Sequence, residues 1–216
     1  MKIRGLAIAS AALAGLVTMS ASAGISNGSF EAGMTDWAVD DLDSPFFVLD
    51  SYAGGTVDTF GWGWSNTPTD GEFSMVTGWD GDGFTSGPLI TIAQDITVDA
   101  GTLEFDYRAA WDLTFGGLAD RTFSVIIEEA GGGAVLDSML FLTATQGSVN
   151  LDTGQLAGSM DLSAFAGDTV RLIFEWSVPE DFAGPAQFDL DNVRLTPTPG
   201  ALAMLALAGL ARRRRR

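Results

Sequence analysis

Apolar residues recur at every second position in short bursts along this chain, and glycine-rich breaks separate the bursts. Leu103, Phe105 and Tyr107 fall on one face of an extended segment, with Glu104, Asp106 and Arg108 on the other. Val170, Leu172, Phe174 and Trp176 repeat the pattern against Arg171 and Glu175, and Phe123, Val125 and Ile127 repeat it again. A period of two marks a strand with one buried and one solvated face, the usual pattern of antiparallel sheets. Turn signals divide the bursts, among them Gly54-Gly55, Asp70-Gly71, Asp80-Gly81, Gly116-Gly117 and Gly131-Gly132-Gly133. The clearest predicted strands are Phe46–Ser51, Thr56–Trp64, Glu72–Thr77, Ile90–Val98 and Leu103–Ala109, then Thr122–Glu128, Val135–Leu142, Thr169–Val178 and Ala186–Leu195. Nothing between them carries the 3.6-residue period of a long amphipathic helix, and only Asp161–Gly167 reads as a short turn, capped by Ser163. The expected architecture is all-β: an antiparallel two-sheet β-sandwich in jelly-roll topology.

What the chain lacks narrows its chemistry. It has no cysteine and no histidine, so disulfides, thiol chemistry and imidazole bases or ligands are all excluded. A bound metal would have to be held by oxygen, which favours calcium over zinc or copper. Charge is segregated along the sequence. Seven of the eleven basic residues lie at the two ends (Lys2, Arg4 and Arg212–Arg216), and all twenty-eight acidic residues lie between Glu31 and Asp191. The span Gly24–Thr196 therefore sets four arginines against twenty-eight carboxylates, a formal charge of −24. Such a body repels nucleic acid phosphates and anionic lipid, so no nucleic acid partner is expected, and it attracts cations. A saline habitat accounts for the acidity as readily as metal binding does.

The ends read as addresses. Lys2 and Arg4 precede an apolar core, Leu6–Val17, and Ala21-Ser22-Ala23 fits the small-x-small cleavage rule, so residues 1–23 are predicted to be a signal peptide. At the other end Pro197-Thr198-Pro199-Gly200 leads into an apolar run, Ala201–Ala211, and then Arg212–Arg216. As a helix that run spans about 18 Å, short of the ~30 Å hydrocarbon core, and its arginines favour the cytoplasmic side. These three parts, residues 197–216, resemble the PEP-CTERM sorting signal of bacterial exported proteins, with Thr198 in place of its glutamate. The resemblance implies an exosortase-type processing enzyme as partner and transient membrane contact through the tail. Its signal residues are Pro197, Pro199, Gly200, Arg212, Arg213 and Arg214. The implied destination is the cell envelope, outer surface or extracellular space.

The body, residues 24–196, carries its own likeness. Asn27-Gly28-Ser29-Phe30-Glu31 followed by Trp37, Asp70-Gly71-Glu72-Phe73-Ser74-Met75, Gln94-Asp95-Ile96 with Ala100-Gly101-Thr102-Leu103, and Phe188-Asp189-Leu190-Asp191-Asn192-Val193 occur in that order. Together they resemble the galactose-binding-like jelly rolls that include many carbohydrate-binding modules. That resemblance implies a structural calcium between the opening segment and the last strand, at Glu31 and Asp191, with solvated carboxylates as the alternative. The residues add a separate hint. Val193 and Leu195 continue the parity of Asp189 and Asp191, so the apolar side of the strand switches there, as at a bulge or a strand end.

Two further constellations bear on function. In Phe60-Gly61-Trp62-Gly63-Trp64 the aromatic residues share one strand face, and Trp79 opens a glycine-rich loop. Trp62, Trp64 and Trp79 are the candidate carbohydrate contacts, because an indole stacks on the apolar face of a sugar ring; core packing is the competing use of such residues. Trp37, Trp111 and Trp176 read as core. No catalytic pair stands out among the carboxylates, since neighbours such as Glu128-Glu129 point to opposite faces of a strand. The expected function is a non-enzymatic exported protein that contacts extracellular polysaccharide or has a structural role in it. The alternative is a small carboxylate-dependent glycoside hydrolase or lyase.

Overall fold

The alternation resolves into two antiparallel sheets that share one core. In the computed structural model, residues 24–40, 48–53, 55–57, 63–79, 89–99, 101–114, 120–177 and 184–197 are described. Strands run in chain order as β1 (Ala38–Asp40), β2 (Val48–Ala53), β3 (Gly55–Val57), β4 (Trp64–Asn66) and β5 (Phe73–Trp79). There follow β6 (Leu89–Thr97), β7 (Gly101–Asp112), β8 (Arg121–Glu129) and β9 (Val135–Ala144). The last four are β10 (Val149–Asn150), β11 (Leu156–Asp161), β12 (Thr169–Ser177) and β13 (Ala186–Pro197). One sheet has the order β1-β6-β12-β8-β9 and the other β10-β7-β13-β5-β2, with β11 also paired to β7. Strands β3 and β4 form a separate two-stranded ribbon. This is the sandwich that the period-two pattern predicts.

Aromatic rings join the sheets. Phe105 and Phe188 project from the six-stranded sheet; Phe123, Phe174 and Trp176 meet them from the five-stranded one. Phe105 lies edge-on to Phe174 at 5.1 Å, and Phe188 stacks on Phe123 at 4.8 Å and tilts against Trp176 at 5.3 Å. All five are buried, as are Trp37 and Trp111. Aromatic pairs at these separations add about 0.5–1.5 kcal/mol each beyond the area they bury.

Gln94, on the core-facing parity of β6, fastens the opening segment to this core. Its Oε1 accepts the Ser26 N–H at 2.8 Å, and its Nε2 donates to the carbonyls of Ser26 and Asp36, each at 3.0 Å. Asn27, at φ 49°, folds the segment on itself by donating from Nδ2 to the Gly33 and Thr35 carbonyls, each at 2.8 Å. The Val193 N–H then donates to the Gly28 carbonyl at 2.9 Å. Only glycine permits that approach, because a Cβ at position 28 would lie 1.9 Å from the Val193 oxygen.

The parity switch in the last strand is a bulge. The pairing of β13 with β7 slips between Asp191 and Arg194, and Asn192 takes φ 53°. Before the slip Phe188 and Leu190 face the core; after it Val193 does. Local readings are corrected in two places. The turn at Ser163–Phe165 has no side-chain cap from Ser163; instead Asp161 Oδ1 accepts the Ser163 N–H at 2.9 Å. The strand predicted over Thr56–Trp64 corresponds to β3 and the start of β4, and residues 58–62 lie outside the described set.

Phe188 touches both sheets, so its truncation leaves a cavity at the centre of the aromatic cluster. Phe188→Ala is expected to lower the unfolding free energy by about 3–5 kcal/mol, read from denaturant melts. A loss below about 1 kcal/mol would contradict the cross-sheet role.

Candidate functional site

The outward side of the six-stranded sheet carries a polar row. Strand β7 contributes Glu104, Asp106, Arg108 and Asp112, and β13 contributes Gln187 and Asp189, with Asp189 opposite Arg108 in register. Arg108 grips Asp152 with two parallel bonds, Nε to Oδ1 and Nη2 to Oδ2, both 2.7 Å, while Nη1 donates to Thr67 Oγ1 at 2.6 Å. The Arg108 bonds and the Gly154 N–H hold the Asp152 carboxyl below the usual range.

Over this row opens a cleft of about 430 Å³, walled by Trp64, Ser65, Asp112, Leu151, Asp152 and Pro185. Leu151 is 56 % exposed at its rim, whereas Trp64 is only 6 % exposed and packs into its wall. A smaller void adjoins it, sharing Ser65, Leu151 and Asp152 and reaching Arg108, Gln187 and Asp189. Its volume of about 10 Å³ is that of one water molecule. Asp189 is 4 % exposed. Gln187 Nε2 donates to its Oδ1 at 3.1 Å, and its Oδ2 has no hydrogen-bond partner. Burial drives the Asp189 carboxyl well above its ordinary range, against the pull of Gln187 and Arg108.

A second constellation joins the ends of the body. Asp191 Oδ2 accepts the N–H groups of Thr69 at 2.6 Å and Asp70 at 2.9 Å, plus the Thr69 hydroxyl at 3.3 Å. Its Oδ1 accepts the Asn192 N–H at 2.7 Å. Glu31 Oε1 accepts the N–H groups of Glu72 at 2.7 Å and Phe73 at 2.8 Å. Gly71, at φ 87°, lets the turn close on Glu31, since a Cβ there would lie 2.3 Å from that oxygen. The two predicted calcium ligands thus converge on one turn, but what they hold is its row of N–H groups. Calcium takes six to eight oxygens. Here the facing groups are donors, the Asn27 carbonyl is already taken by Phe30 N–H and Trp37 Nε1, and no group of three carboxylates stands together among the described residues. As placed here, the Glu31 and Asp191 carboxylates are turned to backbone donors, and their hydrogen bonds join the opening segment and the last strand to this turn.

Of the three tryptophans expected at a sugar platform, Trp64 walls the cleft, Trp62 lies outside the described residues, and the Trp79 side chain is likewise outside them. Pro197 ends β13, while Pro199, Gly200, Arg212, Arg213 and Arg214 lie outside the described residues, within which no helix is long and apolar enough to cross a membrane. Sequence reasoning missed Arg108, Asp112, Asp152 and Asp189. Arg108 did carry a signal, as one of only four basic residues in residues 24–196. Asp152 had none, because it sits in a loop whose approach to β7 is set by tertiary structure.

No family model matches the chain, and no curated protein matches it. Solved structures do resemble it. The K3 cleaved adhesin domain of Lys-gingipain from Porphyromonas gingivalis is 15 % identical, with 81 % of this chain and 99 % of that one covered, at a TM-score of 0.48. The carbohydrate-binding module TmCBM61, in complex with β-1,4-galactotriose, is 12 % identical over 80 % of this chain and 97 % of that one, at 0.46. A family 16 carbohydrate-binding module is 13 % identical over 80 % and 98 %, at 0.40.

Two sets of measurements test this arrangement, the first on the clasp. Asp191→Ala strips the acceptor from the Thr69 and Asp70 N–H groups, at an expected cost of about 1–3 kcal/mol for each. Calcium added to chelator-treated protein at constant ionic strength is expected to leave the melting curve unchanged; a calcium-specific rise would overturn the hydrogen-bonded clasp. The second measurement is pH dependence. Burial raises Asp189 and Asp191, and burial together with Glu128 raises Glu175, so the folded state binds these protons more tightly than the unfolded chain. Stability should therefore rise as pH falls through the raised folded values toward the unfolded carboxylate range at about 4, then drop at lower pH as Asp152 loses its ionised form. Asp189→Asn should flatten the upper limb.

Proposed function

We propose that this protein is an exported, non-enzymatic component of the cell envelope or extracellular matrix that contacts carbohydrate through the cleft beside Trp64. The observation that carries the reading is the composition of the cleft. An indole, a leucine and a proline give it apolar walls, and Ser65, Asp112 and Asp152 supply hydroxyl and carboxylate groups between them. Sugars present the same mixture of apolar ring faces and hydroxyl edges, and pockets for them are built in this way. The cleft stands on paired strands, and the Arg108–Asp152 bonds fix one wall, so little ordering is required when a ligand arrives. Delivery follows from the terminal segments: export by residues 1–23, and sorting by an exosortase-type enzyme acting on residues 197–216.

A hydrolase reading has one observation in its favour. Asp152 and Asp189 have pKa values displaced in opposite directions, the pattern of an acid–base pair. The void at Asp189 has room for about one water, however, and a glycosidic oxygen flanked by two rings does not fit there. Binding without turnover is the better match.

A glycan array probed with the full chain tests this. Asp112→Asn and Leu151→Ala, both at the open cleft, should each weaken any captured glycan about tenfold, or about 1.4 kcal/mol, with little change in melting temperature. Product release from a bound glycan would establish the hydrolase instead, and silence across the array would leave a purely structural protein. Mass spectrometry of the secreted chain should show a C-terminus near Pro197–Gly200, and an intact Arg216 on that species would rule out processing.

A further inference from the structure

Residues 24–196 contain no lysine, and their four arginines are all committed. Arg108 binds Asp152 at 2.7 Å, Arg194 binds Glu104 at 2.7 Å, Arg171 reaches Asp95 at 3.4 Å, and Arg121 is fully buried. A polyanionic glycan approaching this body meets twenty-eight carboxylates and no spare cation. The cleft repeats that imbalance on a small scale. Arg108 is bonded to Asp152, which leaves the Asp189 carboxyl at the adjoining void without an ion pair of its own and with Oδ2 unbonded. A buried acceptor without a donor is costly, and the vacant volume, about 10 Å³, matches one small hydrogen-bond donor.

We propose that this void is an amine pocket, and that the cleft binds an amino-sugar polymer whose protonated primary amine reaches Asp189 Oδ2. The proposal rests on the carbohydrate reading of the cleft and names the class of sugar. An ammonium group is close to water in size, carries three donors, and brings the positive charge that the walls lack. Asp189, Ser65 and Asp152 all line the void, and their side-chain oxygens would be the acceptors for those donors. An N-acetyl group fails on both counts, being neutral and several times too large. A hydroxyl at the same sugar position fits but brings no charge. A uronate meets only like charge.

The test is isothermal titration of the full chain, at raised ionic strength so that general attraction to the acidic surface is screened. The probes are the β-1,4-linked hexamers of glucosamine, N-acetylglucosamine and glucose, and a hexagalacturonate. The glucosamine hexamer should bind about tenfold more tightly than its N-acetylated form, and the galacturonate should not bind. Asp189→Asn, which keeps the shape and removes the charge, should erase the difference between the amino and N-acetyl hexamers. Equal binding of those two by the native chain would overturn the proposal, as would a preference that survives in Asp189→Asn. Should that variant fail to fold, the native chain's comparison of amino and N-acetyl hexamers decides alone. Binding of the glucose hexamer without an amine preference sinks the amine pocket and leaves the carbohydrate reading intact; silence toward every probe here and on the array sinks both.

Discussion

Strand β13 is buried on both faces from Ala186 to Asp191, and three of its side chains on the outer face are polar. A central strand in that position normally carries apolar residues on both sides. Here the inner face supplies Phe188 and Leu190 to the core, while the outer face holds Gln187, Asp189 and Asp191 away from water. Buried polar groups must be bonded, and the surrounding elements are placed to do this. The Thr69–Phe73 turn folds over the strand and donates to Asp191; Arg108 comes alongside Asp189 from β7; Gln187 bonds Asp189 along the strand. Asp189 Oδ2 is left without a partner, and Asp189 lines the small void beside the cleft.

Electrostatics in the body divide into two regimes. Most of its carboxylates are solvated and repel one another weakly, which favours solubility at some cost to compactness. Among the described residues two are enclosed: Asp191 is tied to backbone donors, and Asp189 to the Gln187 side chain. With three arginines paired at the surface and the fourth interior, the body has spent its positive charge on holding itself together. Its surface is therefore selective by default, since whatever meets it is neutral, cationic or escorted by counter-ions.

The strands that alternate strictly, β7, β8 and β12, were legible in the sequence because each buries one face against the same core. The irregularity at Asp191 was legible for the same reason, since a change of apolar parity marks a bulge or a strand end, and the register shift makes it a bulge. Strands β10 and β11 were not. Each lies at the edge of the six-stranded sheet, and β11 has only one buried residue, Met160, so burial leaves little imprint on its composition. Of the candidate site residues, Trp64 was found by residue type, but Asp152 and Asp189 were not separable from twenty-six other acidic residues. Their distinction lies in who faces them, and partners 44 residues apart, such as Arg108 and Asp152, leave no local pattern. Glu31 and Asp191 converge on one turn, and the N–H groups they hold there were not legible, because backbone donors have no sequence signature.

The clasp between the opening segment and the last strand also sets a timetable. Gly28 bonds Val193, and Phe30 and Trp37 pack in a core completed by Phe188 and Leu190, so the first described residues find their partners only when nearly the whole body is present. Contacts of such long sequence separation form late and slowly, because a large loop must close before they return any energy. In a chain threaded through a membrane N-terminus first, the leading segment would wait, unstructured, for the trailing strand. Folding on the far side would be unable to finish while any part of β13 remained in transit, and emergence of that strand would close both ends in one step.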